Sequence, residues 1–121
     1  MQSEPPSEFE AAVFAKIASE TSDEALRAQL TGIRVVNRNY TGVGCYSQLV
    51  PPEDAPVTLE AYGSHGPLSG PWFETLRVEH GGSTLLWFKD GRAEYLEIAA
   101  NGDHFPEDQA DLVPFTFTKG P

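Results

Sequence analysis

The stretch Ser83-Thr84-Leu85-Leu86-Trp87-Phe88-Lys89-Asp90-Gly91-Arg92-Ala93-Glu94-Tyr95-Leu96-Glu97-Ile98-Ala99 decides the fold, because it reads as two alternating strands joined by Asp-Gly. A two-residue type I′ turn needs φ > 0 at both central positions, and Asp-Gly meets that need. Such a turn fixes the register, pairing Phe88 with Ala93, Leu86 with Tyr95 and Thr84 with Glu97, and setting Trp87 against Glu94. Glu97 and Tyr95 then share a face with Thr84, Leu86 and Phe88, while Trp87, Leu85, Leu96 and Ile98 take the other. With apolar residues on both faces, the hairpin is expected at the centre of a sheet, with helices over one face and further chain over the other.

Working upstream, Trp72 to His80 continues the period of two into Gly81-Gly82, which reads as a further turn. Before it, Gly63 to Pro71 contains three glycines and two prolines and reads as a mobile surface loop. Val57 to Tyr62 reads as a strand, and Ile33 to Tyr40 with Val43 to Val50 as a hairpin around Thr41-Gly42. Ahead of the strands the period changes to that of helices. Ser7 and Glu10 have capping-box spacing, followed by Phe9, Val13 and Ile17 along one stripe. Thr21 and Glu24 repeat the spacing before Leu26 and Leu30, with Gly32 as a left-handed stop. Downstream of the central hairpin, an acidic loop leads into Leu112 to Thr118, expected at a sheet edge because Pro114 lacks an amide proton. The expected fold class is α+β: one or two short N-terminal helices on a largely antiparallel sheet of about six or seven strands. It forms a single domain over 1–121, with residues 1–6 disordered.

The 121 residues carry 18 acidic and 8 basic side chains, a formal charge of -10 that repels phosphate backbones and anionic lipid surfaces. Nucleic acid and membrane are therefore excluded as expected partners, whereas a basic protein partner is compatible. A lone cysteine, Cys45, permits no internal disulfide, and no apolar run approaches the ~20 residues of a membrane span. A cytoplasmic location is expected.

Catalytic signatures are missing. Cys45 could be a nucleophile beside His65, His80 or His104, but it alternates with apolar residues on a strand and reads as a small buried hydrophobe. Gly63-Ser64-His65-Gly66 lacks the spacing of a nucleophile elbow, and Thr41-Gly42-Val43-Gly44 lies between strands, unlike a phosphate-binding loop. Neither Cys-x-x-Cys nor paired histidines occur, and Asn101-Gly102-Asp103 with Glu107 and Asp108 misses the calcium-loop order and reads as solvated acids. No metal and no cofactor are expected. The one polar constellation inside apolar strands is Arg38, Tyr40, Tyr95 and Glu97. Read structurally, Arg38 and Glu97 are an internal ion pair with a tyrosine beside the carboxylate. Read functionally, the four residues line a pocket for a small polar ligand.

Arg38-Asn39-Tyr40-Thr41-Gly42-Val43-Gly44, followed by Phe88-Lys89-Asp90-Gly91 and Leu96-Glu97, resembles a pattern found in a family of small bacterial proteins of unknown function. The resemblance spans about half of the chain and departs from the pattern at Cys45 and Phe105. It implies no activity, only that the Thr-Gly-x-Gly turn and the strand ending in Leu-Glu belong together. The sequence thus favours a non-enzymatic bacterial accessory or protein-interaction domain, monomeric or homodimeric. The alternative is a small polar-ligand binder or modest hydrolase using an Arg38/Glu97 pocket. A third reading, an acidic antitoxin or nucleic-acid mimic, needs carboxylates spaced along one exposed face.

Overall fold

A computed structural model describes residues 2–102 and 104–120. Helix α1, Glu8–Glu20, begins in the expected capping box: the Ser7 hydroxyl accepts from the Glu10 amide at 3.1 Å, and Glu10 accepts from the Ser7 amide at 2.8 Å. Its stripe of Phe9, Val13, Phe14 and Ile17 is buried. Helix α2, Glu24–Leu30, is capped by Asp23 rather than Thr21. The Asp23 carboxylate accepts from the amides of Ala25 and Leu26, whereas Thr21 already terminates α1. Gly32 follows at φ 79°, the left-handed stop.

Seven strands form one antiparallel sheet: β1 (Arg34–Tyr40), β2 (Gly44–Val50), β3 (Leu68–Ser69), β4 (Trp72–Thr75), β5 (Val78–Lys89), β6 (Arg92–Ala100) and β7 (Phe115–Thr118). Their order is β1-β2-β6-β5-β4-β7, with β3 also paired to β5, so β7 does lie at an edge. With α1 and α2 packed on the sheet, the architecture is the α+β class expected. Among the described residues, no helix is long and apolar enough to cross a membrane. Ser3 and Glu4, in the segment expected to be disordered, lie along β1. Glu4 and Val35 exchange backbone bonds of 2.9 and 2.8 Å, and Arg34 holds Ser3.

The central hairpin turns at Asp90 (φ 52°) and Gly91 (φ 79°), with Lys89 opposite Arg92 and Phe88 opposite Ala93 as expected. Beyond that pair the expected register fails. Glu94 is an extra residue on β6, so Trp87 lies opposite Tyr95, Leu86 opposite Leu96 and Leu85 opposite Glu97. Burial explains the bulge: an unbroken register would turn Leu96 and Ile98 away from the helices and Glu97 toward them. Each apolar side chain so displaced would forfeit roughly 1.5–3 kcal/mol. A second bulge, at Val36, keeps Val35, Arg38 and Tyr40 on the helix side, although uninterrupted alternation groups Val36 with Arg38 and Tyr40.

Two further expectations are corrected. Gly81-Gly82 is not a turn; the chain reverses at Leu76-Arg77, and β5 continues through the glycines, with Gly81 at φ 65° where the pairing to β4 is irregular. Both glycines are there for close approach: a Cβ on Gly82 would sit 2.3 Å from the Ala99 carbonyl and 2.6 Å from the Phe73 ring. Val57 to Tyr62 is not a strand: the Thr58 amide donates to the Gly91 carbonyl at 2.9 Å and the Glu60 amide to the Thr58 hydroxyl at 3.2 Å, and the flanking chain is held by buried polar groups. Gln29 donates to the carbonyls of Pro56 (2.9 Å) and Gly91 (2.8 Å) and accepts from the Ala93 amide (2.8 Å). Thr58 and Tyr62 both donate to Asp23; burial, followed by the bond to Asp23 and its charge, pushes the Tyr62 phenol up to about 12. The loop expected over Gly63 to Pro71 contains the end of a short helix, α3 (Tyr62–His65), and strand β3.

The helices, the 3-10 turn Gln109–Leu112 and the buried side chains Leu86, Leu96 and Ile98 lie on one face of the sheet. Among the described residues, no layer covers the other face, contrary to the expectation of chain on both sides: Tyr46 and Trp87 remain 37% and 36% exposed. Gly82→Ala is expected to lower stability by about 1–3 kcal/mol through overpacking against Phe73 and Ala99, measured as a drop in the thermal unfolding midpoint with activity-independent circular dichroism.

Candidate functional site

The four residues singled out from the sequence divide between the two faces of the sheet. Arg38 and Tyr40 lie on the helix side, Tyr95 and Glu97 on the open side, and the expected Arg38–Glu97 ion pair does not form. The Glu94 bulge separates them: it moves Tyr95 and Glu97 off the Leu86/Phe88 face, while the Val36 bulge holds Arg38 and Tyr40 on it.

Arg38 instead grips Glu10. Its Nε and Nη2 donate to the two carboxylate oxygens at 2.9 and 2.7 Å, a bidentate fork, and its Nη1 pairs with Glu4. Glu10 is wholly buried. Burial acts to raise its pKa, but the Arg38 fork, the Ser47 hydroxyl and the Ser7 amide outweigh burial and hold the carboxyl below its ordinary value. The same bonds raise the Arg38 pKa. Gln109 completes the network, donating to Ser47 at 3.0 Å and accepting from Ser7 at 2.7 Å, while its amide donates to the Tyr40 hydroxyl at 3.0 Å. Cys45 sits at its apolar end, fully buried, with burial pushing the thiol up. Among the described residues, no buried side-chain nitrogen or oxygen is without a partner.

The open face has a different character. Strand pairing lays its side chains out in two neighbouring rows: Asn37, Gln48, Tyr95 and Trp87 in one, and Asn39, Tyr46, Glu97 and Leu85 in the other. Trp87 Nε1 donates to Glu97 at 2.9 Å, and Tyr46 hydrogen-bonds the same carboxylate. The charge on Glu97 is the main reason the Tyr46 phenol is raised, with burial second. A cleft of about 540 Å³ opens along these rows, with Asn37, Tyr46, Trp87, Glu94 and Tyr95 among its walls and Arg38 at its border. Of the four expected residues, Arg38 and Tyr95 therefore meet at this cleft. Arg38 and Tyr40 share a second one, of about 420 Å³, beside Gln109 on the helix side.

Reasoning from sequence read Glu10 only as a helix cap and did not single out Tyr46, Asn37 or Trp87 as site residues. The signal available was the Leu96/Ile98 pair alternating with Tyr95 and Glu97. Asp103 and Met1 lie outside the described residues, as do the side chains of Ser64 and His65. Among the described residues no three His, Cys, Asp or Glu groups converge as a metal site. No family model, curated protein or solved structure matches the chain.

Two outcomes follow from these sites. Glu10→Gln is expected to cost about 1–3 kcal/mol by removing the buried carboxylate of the fork and leaving Arg38 paired with Glu4 alone. Because the folded pKa of Glu10 lies below the unfolded one, its contribution is complete above the unfolded value of about 4.3 and disappears as pH falls through the folded one. Denaturant melts should thus show a shallower acid decline in the variant than in the parent. Glu97→Gln should bring the Tyr46 phenol back toward the usual value of about 10, followed by NMR of ring-labelled tyrosine; an unmoved titration would mean that Glu97 carries no charge toward it.

Proposed function

We propose that this chain is a non-enzymatic accessory domain of bacterial type, working in the cytoplasm as a monomer or homodimer, that binds a protein partner through the open face of its sheet. The observation that carries this reading is the two-row arrangement, which leaves Tyr46, Trp87 and Tyr95 beside amide and carboxylate side chains with no layer of the described chain over them. Tyrosine and tryptophan dominate the energetic centres of protein interfaces because a large rigid ring brings apolar area at low entropy cost. Two carboxylates on the face and a charge of -10 favour a basic partner and oppose nucleic acid. The resemblance to small bacterial proteins belongs to the same reading.

The alternative, a small polar-ligand binder, draws support from the volume of the cleft and its mixed lining. A hydrolase has less support, since the guanidinium of Arg38 is occupied by Glu10 and Glu4, and Cys45 is buried with its thiol pKa raised.

A benzophenone-bearing amino acid placed at Tyr46 or Trp87 should give a discrete adduct with one partner protein on illumination of living cells. The same group at Leu59, 95% exposed outside the open face, should give none. Adducts at Leu59 alone, or at no position, would remove this reading.

A further inference from the structure

Resting on that reading, we infer that the partner presents an arginine side chain to the open face, with its guanidinium seated between the Tyr46 and Trp87 rings against the Glu97 carboxylate. Glu97 is the fixed point. Trp87 Nε1 holds it at 2.9 Å from one strand, and Tyr46, its direct cross-strand neighbour, holds it from another. A carboxylate offers about four acceptor positions, and these two bonds leave the others for an incoming donor.

Both rings are oriented by their polar ends rather than by each other. Among the described residues, neither Tyr46, Trp87 nor Tyr95 stacks on another aromatic ring. Tyr46 and Trp87 are part-exposed on this face, and an anchored carboxylate beside two such rings combines the two attractions that a guanidinium uses: the ring quadrupole and a charge-assisted hydrogen bond. Glu94, on the wall of the cleft that Tyr46 and Trp87 also line, adds a second negative charge. The one cation at the cleft border, Arg38, is neutralised by Glu10 and Glu4 and does not compete for Glu97.

Arginine fits this geometry better than lysine. The guanidinium is planar and weakly hydrated, so it can lie on a ring while its edge reaches Glu97 and the side-chain carbonyls of Asn37 or Gln48 in the adjoining row. An ammonium is a compact, strongly hydrated point charge that satisfies the carboxylate but not the amides. A phosphate or other anion is repelled by Glu94 and Glu97. A neutral sugar could use the rings and the amides but gains nothing from the paired negative charge.

The test uses the whole protein and four small probes: acetyl-Gly-Arg-Gly-amide, its lysine and glutamine counterparts, and cellobiose. The Trp87 indole Nε1–H resonance reports on each titration. The arginine probe should shift it saturably, with a Kd of about 5 mM, and bind at least about 5-fold more tightly than the lysine probe. Glu97→Gln should weaken the arginine probe about 10-fold, while Glu107→Gln, outside the face, leaves it unchanged. Equal shifts from the glutamine probe, binding by cellobiose alone, or no movement by the arginine probe at about 50 mM would each overturn the inference. Crosslinks to a partner at Tyr46 and Trp87 together with an inert arginine probe would sink this inference alone and leave the interaction reading standing.

Discussion

Strand parity is the constraint on which the rest of this molecule depends. The Asp90-Gly91 turn sets Phe88 and Ala93 toward the helices, and every second residue should follow them. Leu96 and Ile98 lie at the wrong parity for that register, yet both are completely buried. One additional residue, Glu94, reconciles the turn with the core. Disrupting the ladder at one position costs less than exposing two large aliphatic side chains while burying a carboxylate. The bulge also has an effect on the other side of the sheet: it places Tyr95 and Glu97 beside Tyr46 and Trp87, which is what gives the open face its chemistry.

On the covered face, one carboxylate joins elements far apart in sequence. Glu10 closes the capping box of α1, receives the Arg38 fork from β1 and the Ser47 hydroxyl from β2, and through Ser47 reaches Gln109 in the 3-10 turn. A helix cap normally contributes about 1 kcal/mol and concerns only its own helix. Here the same group fixes the position of the helix on the sheet, and the satisfied network leaves no unpaired buried polar side chain among the described residues.

Much of this was legible in the sequence, and the rest was hidden for physical reasons. Local chemistry carried the capping box at Ser7 and Glu10, the left-handed Gly32, the Asp-Gly turn and the edge position of the last strand. The errors are non-local. A bulge leaves no mark in a single strand, because it expresses a conflict between a turn and a core that meet only in three dimensions. Gly81-Gly82 reads as a turn by composition, yet its reason is the neighbouring Phe73 ring and Ala99 carbonyl. Likewise Val57 to Tyr62 has strand-like residues, but Asp23 and Gly91 claim its polar groups. The expected site suffered most, since the Glu94 bulge carried Tyr95 and Glu97 to the face opposite Arg38 and Tyr40.

The N-terminal clamp on β1 has a consequence for how anything can approach the sheet. An outer strand with free amides and carbonyls invites a foreign strand to extend the ladder, and natural sheets blunt such margins with bulges or covering chain. This molecule does both at β1: Glu4 occupies the backbone groups of Val35, and the Val36 bulge breaks the regular spacing beside it. Strand addition by β-augmentation is thereby disfavoured at the margin nearest the aromatic rows. A visitor is steered to lie flat across side chains, where selectivity comes from rings and charges, rather than along the rim, where any extended backbone would be accepted.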